Sequence, residues 1–131
     1  MIIERNFSKY AVFIEDTLLN ALNKISENKE RLIFVVSESG ILEGALSDGD
    51  LRRWLISTAE INLQKPVYQI MNRDIRQAFI DDRPEDIREL LDGKHLAIPL
   101  VDINKRLVAV AFGRRAEIEI AEGRGYRPAE K

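Results

Sequence analysis

The sequence contains the stretch AVFIED at residues 11–16 and, at a shift of 66 residues, the related stretch QAFIDD at residues 77–82. A second pair follows, because LIFVV at 32–36 corresponds to AIPLV at 97–101 at a shift of 65. The next segment, LEGAL at 42–46, corresponds to LVAVA at 107–111 at that same shift. The chain therefore carries an internal duplication, and each copy takes up about half of its 131 residues.

Hydropathy patterns predict the order of elements within one copy. A β-prone segment at 10–15 ends at Asp16, which is a favourable N-cap, and apolar residues then recur at helical spacing between residues 18 and 25. The apolar run at 32–36 predicts a buried strand, and 41–46 its hairpin partner. Ser47 followed by Asp50 predicts a capping box that starts a second helix. One copy is thus β-α-β-β-α, and the second copy repeats this order with Pro84 near the start of its helix.

Composition excludes several classes of protein. The chain has no cysteine and one histidine, His95, so it lacks a disulfide framework, a thiolate nucleophile and a cysteine zinc site. Its longest apolar runs, at 32–36 and 107–112, are far shorter than the roughly 20 residues that span a bilayer. The N-terminus does not resemble a secretory signal, which predicts a cytoplasmic location. A net charge of -2 argues against nucleic-acid binding.

The size of one copy predicts how the two copies assemble. A unit of about 65 residues has too few helices to cover both faces of its small sheet, so each copy alone is expected to be marginally stable. Packing the copies through a pseudo-two-fold axis covers these faces and leaves symmetry-related clefts, which are common places for small ligands. The alternative is that the duplication serves only stability or assembly.

Three segments of the duplicated unit resemble one known family. They are GALSDGDLRR at 44–53, IPLVD at 98–102 and IMN at 70–72, and the chain resembles, over roughly residues 5–115, a tandem pair of CBS (cystathionine β-synthase) domains, or Bateman module. The resemblance implies an α/β (α+β) fold with two β-α-β-β-α motifs around a pseudo-two-fold axis. The expected divisions are residues 1–57 for the first motif, 58–69 for a connection, 70–115 for the second motif and 116–131 for a strand or tail leading toward a missing domain.

The resemblance also implies a function. CBS pairs commonly bind an adenine nucleotide (AMP, ADP or ATP) or S-adenosylmethionine in the cleft between motifs, form homodimers and regulate a fused or separate enzyme. This implies a regulatory module that is not itself an enzyme and requires no cofactor or metal. The segment DGDLRR is similar to the corresponding segment of CBS modules fused to sugar-phosphate isomerases and sugar nucleotidyltransferases, which suggests sugar metabolism as the context. The alternative is a non-catalytic dimerisation or interaction module that binds no nucleotide.

The resemblance places the ligand at the start of the second helix. It assigns Ser47 to phosphate or ribose contacts and Asp50 to the ribose hydroxyls, and a carboxylate can accept hydrogen bonds from both of these hydroxyls. Gly49 would let the ligand approach the backbone, and Arg53, or Arg52 beside it, would offer a forked donor to phosphate. The alternative is that Ser47 and Asp50 only cap the helix and that both arginines are solvated.

The resemblance also suggests the residues that hold the base. An apolar wall is expected from Val12, Phe13, Ile33, Ile98 and Pro99, although the same residues are more simply explained as core.

The second copy has lost the site residues. At the shift of 65, Phe112, Arg114 and Arg115 stand where the first copy has Ser47, Gly49 and Asp50. Phe112 could fill the cleft or stack on a ligand, and the arginines could bind anions, but a degenerate second site is the favoured interpretation. At most one ordinary nucleotide site per chain is expected.

Other polar groups do not form convincing sites. Acidic residues occur around the start of the second copy's helix, where the dipole favours acids, so a solvated cap is preferred over a metal site; they are Asp81, Asp82, Glu85 and Asp86. His95 lacks an accompanying nucleophile motif and is not expected to be catalytic. Trp54 is interpreted as packing or as part of a dimer face. Residues 116–120 predict a strand, and 123–128 a linker.

Overall fold

The structure is a computed structural model that describes residues 1–113. Within this range the chain forms seven strands and three α-helices, with short 3-10 helices at Ser8–Tyr10 and Val67–Gln69. In chain order the elements are β1 (Ile2–Glu4), β2 (Ala11–Phe13), α1 (Leu18–Glu27), β3 (Leu32–Val36), β4 (Leu42–Ser47), α2 (Asp48–Ser57), β5 (Ala78–Phe79), α3 (Pro84–Leu90), β6 (Ala97–Val101) and β7 (Leu107–Phe112).

The strands form two small sheets, one for each copy of the repeat. The first sheet has the order β2-β3-β4, and the second has the order β1-β7-β6-β5. In each sheet the strand that precedes the helix pairs in parallel with the first hairpin strand, and the hairpin itself is antiparallel. The α/β class and the repeated β-α-β-β order are therefore confirmed.

The duplication extends to the register of individual residues. Val12 lies opposite Val35 in the first sheet, and the corresponding Ala78 lies opposite Leu100 in the second. Each hairpin has a register shift at the same place, after Val35 in the first copy and after Leu100 in the second. A one-residue slip would exchange the two faces of a strand, so this shared irregularity shows that both copies keep the same faces inward.

The tips of the two hairpins hydrogen-bond to each other across the pseudo-two-fold axis. Leu42 N donates to Lys105 O at 3.0 Å, and its counterpart Leu107 N donates to Gly40 O at 3.0 Å. Gly40 and Lys105 occupy equivalent turn positions, and both have left-handed backbones, with φ of 88° and 67°. The left-handed backbone conformation costs conformational free energy for lysine but not for glycine, which has no Cβ. The two turns therefore share one backbone conformation although the residue types differ.

Each sheet is also extended by backbone from outside its own hairpin. In the second sheet, β1 pairs with β7, so the N-terminal residues lie with the second copy although they precede the first in sequence. In the first sheet, Ala45 and Asn72 exchange backbone hydrogen bonds of 2.9 and 2.8 Å. Gly44 permits this approach, since a Cβ there would lie 2.7 Å from Asn72 O. The two copies therefore share backbone as well as side-chain contacts.

The apolar core lies in three clusters. One joins the first sheet to α1 and α2 and includes Leu18, Ile33 and Leu46, and a second covers the corresponding face of the other sheet and includes Ile98 and Leu100. The third lies between the sheets, where Phe34 and Val36 pack with side chains of the second copy. Each fully buried aliphatic side chain contributes about 1.5–3 kcal/mol from removal of apolar surface from water. Because the third cluster draws on both copies, their stabilities are coupled.

The helix boundaries confirm some predictions and correct one. The capping box at Ser47 and the proline at the start of α3 are as predicted. The N-cap of α1 is Thr17, whose side chain accepts from Asn20 N, and the prediction of Asp16 was wrong. The Asp16 carboxylate instead accepts from Phe13 N at 2.9 Å and closes the turn before the helix. Trp54 packs against the first core cluster, as its packing interpretation expects.

The predictions for residues 116–131 and for the motif boundaries stay predictions. The strand expected at 116–120 and the tail after it lie outside the described residues. The proposed motif boundaries remain predictions of the sequence.

Candidate functional site

The start of α2 is held by a reciprocal set of hydrogen bonds. Asp50 N donates to Ser47 Oγ at 3.1 Å, while Ser47 N and Ser47 Oγ each donate to Asp50 Oδ2 at 3.0 Å. Serine and aspartate three residues apart form this box because the first backbone N–H groups of a helix have no partner within the helix. The box fixes both side chains at the end of β4, so they are already ordered before any ligand binds.

The second oxygen of the same carboxylate accepts from an arginine. Arg53 Nη2 donates to Asp50 Oδ1, and Arg53 Nη1 would lie 3.5 Å from a Cβ at Gly49, so the guanidinium folds back over the first helical turn. Arg52 points elsewhere and approaches Asp48 at 3.8 Å. A sugar hydroxyl that binds Asp50 must therefore share the carboxylate with Arg53 or displace it.

A cavity of about 650 Å³ lies beside this helix start. Its lining from the first copy includes Ser47, Asp50 and Arg53, and its apolar lining includes Phe34 on β3 and Pro99 on β6. Side chains from both copies therefore form its walls, and its volume lies within the range of small-molecule sites.

The structure brings together only part of the predicted site. Ser47, Asp50, Arg53 and Pro99 line the cavity, and Gly49 lies beneath the Arg53 side chain.

The other members of the predicted base wall lie elsewhere. Val12 and Ile33 are buried in the first core cluster and Ile98 in the second, which agrees with the core alternative. Phe13 is 53% exposed and lies beside Ile14, Glu15 and Glu38 on another surface. Successive side chains of a strand point to opposite faces, so Phe34 rather than Ile33, and Ala97 with Pro99 rather than Ile98, face the cavity.

A polar cluster from the second copy also lines the cavity and was not foreseen as a site. Arg76, Lys94 and His95 belong to the segments that precede β5 and β6. Asp92 holds this cluster in place, because it accepts from Arg76 Nη1 at 2.9 Å and contacts His95 Nδ1 at 3.0 Å. One sequence signal could have revealed it, since His95 replaces Glu30 of the first copy at the shift of 65.

The environment of Asp92 keeps its carboxylate ionised. Burial alone would raise the pKa of Asp92, but hydrogen bonds from the His95 side chain and from the backbone N–H groups of Lys94 and His95 outweigh it and lower the pKa well below its usual range. Asp92 therefore remains an anion that orients the Arg76 and His95 side chains.

The corresponding strand end of the second copy carries an aromatic contact. The rings of Phe112 and Tyr10 lie 4.9 Å apart in a tilted arrangement, and both pack against the cluster between the sheets. Phe112 replaces Ser47, so an apolar ring occupies the position of the capping hydroxyl. Arg114 and Arg115 lie outside the described residues. The degenerate second site remains a prediction of the sequence.

The acidic residues near α3 act as turn and helix-start groups. Asp82 accepts from Phe79 N at 3.0 Å, and Asp86 pairs with Arg83 at 3.0 Å. Glu85 is 4.0 Å from Arg83. Over residues 1–113, no group of three or more metal-ligating side chains is gathered. In the same range, no helix is long and apolar enough to cross a membrane.

Comparison with protein families finds a CBS domain at residues 8–57. Arabinose 5-phosphate isomerase GutQ from Salmonella typhi is 31% identical over 97 residues, which are 73% of this chain and 30% of that protein. The chain thus spans less than a third of the length of this relative.

Solved structures share the fold over most of the chain. CBSX2 in complex with AMP is 24% identical with a TM-score of 0.67, and the match covers 92% of this chain and 91% of that one. The cytosolic domain of the Mg2+ channel MgtE in complex with ATP is 27% identical with a TM-score of 0.63, covering 79% of this chain and 42% of that one.

Proposed function

We propose that this chain, a tandem pair of CBS motifs, binds an adenine nucleotide in the cavity beside α2 and thereby regulates a fused or separate enzyme. Ligand occupancy would bias the relative arrangement of the two copies, because the cavity takes its walls from both. A neighbouring catalytic domain would then sense the change.

One observation carries the proposal: an ordered aspartate at the start of a ten-residue helix lines the cavity. The Asp50 carboxylate can accept hydrogen bonds from sugar hydroxyls, and the positive end of the helix dipole favours a nearby phosphate. Phe34 and Pro99 supply apolar surface for a flat base. Sugar, phosphate and base therefore each have chemically suitable groups within one cavity.

The relatives support the ligand class and suggest a context. CBSX2 and the MgtE cytosolic domain share this fold and were solved with AMP and ATP respectively. GutQ is an isomerase of a sugar phosphate, so we extend the proposal to an enzyme of sugar-phosphate or sugar-nucleotide metabolism as the regulated partner. Because the relatives bind different adenine nucleotides, AMP, ADP, ATP and S-adenosylmethionine are all to be tested.

The cavity is better suited to binding than to catalysis. His95 and Asp92 form a pair like that of a hydrolase triad, and Ser47 lines the same cavity. However, Ser47 Oγ donates to Asp50, and among the described residues it makes no hydrogen bond with His95. A serine nucleophile needs an adjacent base, so the arrangement does not support acyl transfer.

The first experiment is a thermal unfolding series with each of the four adenine compounds. A ligand at 100 times its Kd stabilises the native state by about 2.7 kcal/mol, so a binding compound raises the Tm by several degrees. The proposal fails if none of them shifts the Tm at millimolar concentration.

A pair of variants then tests the site. Asp50→Ala is expected to weaken binding at least tenfold, since hydrogen bonds to a charged group contribute about 1.5–3 kcal/mol. Asp48→Ala is the matched control, because Asp48 is in the same helical turn and pairs with Arg31 and Arg52 but does not itself line the cavity. Affinity is measured by titration calorimetry, since loss of the capping box lowers the Tm for reasons unrelated to the ligand. Equal affinities of both variants would reduce Asp50 to a structural role.

A second candidate function is self-association without a nucleotide. It is favoured by the outer face of α2, where Leu55 is 46% and Ile56 82% exposed. Sedimentation analysis of the wild type and Ile56→Glu tests it. A dimer that the substitution dissociates, together with no response to adenine compounds, would favour this alternative.

A further inference from the structure

We infer that Arg76, Lys94 and His95 form a phosphate-binding wall, so that the preferred ligand is a nucleoside di- or triphosphate rather than a monophosphate. This inference rests on the proposed function, because it concerns the same cavity. We refer to these three side chains as the second-copy wall.

A single carboxylate and the backbone fix the second-copy wall. Asp92 Oδ2 accepts from Arg76 Nη1, and the same nitrogen donates to Leu90 O at 2.8 Å. Asp92 Oδ1 accepts from the backbone N–H groups of Lys94 and His95, each at 2.8 Å. The Arg76 and His95 side chains and the backbone of Lys94 are therefore ordered before a ligand arrives, which lowers the entropy lost on binding.

Unused donors remain on two members of the wall. Over residues 1–113, Arg76 makes hydrogen bonds through Nη1 only, so its Nη2 and Nε can bind a ligand, whereas His95 uses Nδ1 to contact the Asp92 carboxylate. Within the described residues, the Lys94 ammonium has no hydrogen bond or ion pair. Several N–H donors on one wall match the acceptor oxygens of a phosphate chain, which guanidinium and ammonium groups bind well.

The acidic side chains of the cavity restrict where negative charge can bind. Glu30, Asp50 and Asp74 all line it, and a phosphate close to an unpaired carboxylate would be repelled. Two places remain favourable: the helix start with Arg31 and Arg53, and the second-copy wall. A monophosphate has one phosphate group to offer to these two places, whereas on this inference the longer phosphate chain of a di- or triphosphate contacts both copies.

The same charges bear on S-adenosylmethionine. Its sulfonium centre is cationic and would lie in a cavity whose second-copy wall carries the Arg76 and Lys94 cations. The affinity order expected for the wild type is therefore ATP above ADP, ADP above AMP, and AMP above S-adenosylmethionine.

The test compares Lys94→Ala with Lys29→Ala. These lysines occupy equivalent positions at the shift of 65, but only Lys94 lines the cavity. Lys94 donates to Asp92 through its backbone, so truncation of its side chain leaves that contact in place. Lys94→Ala is expected to weaken ATP binding roughly tenfold and AMP binding less than twofold, since one charge-assisted contact is lost. Lys29→Ala is expected to change neither affinity appreciably.

Calorimetric titrations of both variants with AMP and ATP decide the outcome. The inference is overturned if wild-type protein binds AMP as tightly as ATP, or if Lys94→Ala weakens the binding of the two nucleotides equally.

Titration with sodium tripolyphosphate alone separates the inference from the proposed function. If tripolyphosphate binds in a Lys94-dependent manner while no adenine compound binds, the wall is supported and the adenine proposal fails. If AMP binds but tripolyphosphate does not compete with ATP, the wall is wrong and nucleotide binding stands.

Discussion

The two copies of the repeat have the same backbone plan but different strand ends. Both keep a parallel pair, an antiparallel hairpin and a register shift at the same position. Where β4 ends, Ser47 caps a helix and lines a cavity, whereas at the end of β7, Phe112 packs on Tyr10. The comparison teaches that two sheets of the same plan can differ at their strand ends, with a cavity beside one and an aromatic contact at the other.

The largest effect is expected from truncating the equivalent core residues Ile33 and Ile98. Both are fully buried, so Ile33→Ala and Ile98→Ala should each lower the free energy of unfolding by about 2–5 kcal/mol. Because the cluster between the sheets couples the copies, urea denaturation of each variant should show one shifted transition. Two separate transitions, only one of them shifted, would show that the copies fold independently.

A smaller loss is expected where the copies differ by one methyl group. Gly44→Ala places a Cβ 2.7 Å from Asn72 O and 2.9 Å from Met71 Sδ, which should cost about 1–3 kcal/mol. The reverse change at the equivalent position, Ala109→Gly, removes a buried methyl group and should cost about 0.5–1 kcal/mol through backbone entropy. The free energies of unfolding of the two variants are measured by equilibrium denaturation. Equal losses would mean that the backbone near Asn72 shifts to accommodate the new methyl group without an additional cost.

The aromatic pair of the second copy should show a measurable coupling energy. A double-mutant cycle with Tyr10→Leu and Phe112→Leu should give about 0.5–1.5 kcal/mol between the two rings, which lie 4.9 Å apart. Phe112→Leu should leave nucleotide affinity unchanged, because Phe112 does not line the cavity. Loss of affinity in this variant would show that the aromatic pair takes part in binding.

The smallest effect concerns pH and the Asp92 cluster. Because folding lowers the pKa of Asp92, its contribution to stability is present above about pH 4, the range of an unfolded aspartate, and is lost as the pH falls further. Asp92→Asn should therefore lower stability by at most about 1 kcal/mol at pH 7, with the difference from wild type disappearing toward pH 2. The equivalent residue in the first copy is Glu27, so Glu27→Gln is the control. Parallel pH profiles for wild type and Asp92→Asn would contradict this role.

Local sequence signals were sufficient for the repeat and for the start of α2. The shifts of 65 and 66 residues placed the hairpins, and the spacing of Ser47 and Asp50 predicted their capping box. These features are determined by residues close together in the chain or by direct comparison of the copies. They could therefore be predicted from the sequence without knowledge of the tertiary packing.

Features that depend on distant residues were not predicted. The strands β3 and β6 are apolar on both faces, so period-two alternation could not distinguish Ile33 from Phe34 as the residue facing the cavity. β1 has three residues and finds its partner at the other end of the described chain, so no nearby hairpin revealed it. The second-copy wall combines loops that only the folded state brings together.

The pairing of β1 with β7 also sets an order in time. Residues 2–4 are made before their partners at 110–112, which follow about a hundred residues later. At roughly 5–20 residues per second, β1 waits on the order of 5–20 s while the whole first copy and most of the second are synthesised. The first sheet, whose contacts are closer in sequence, can form during that wait. Closure of β1 onto β7 is thus a late step in biogenesis.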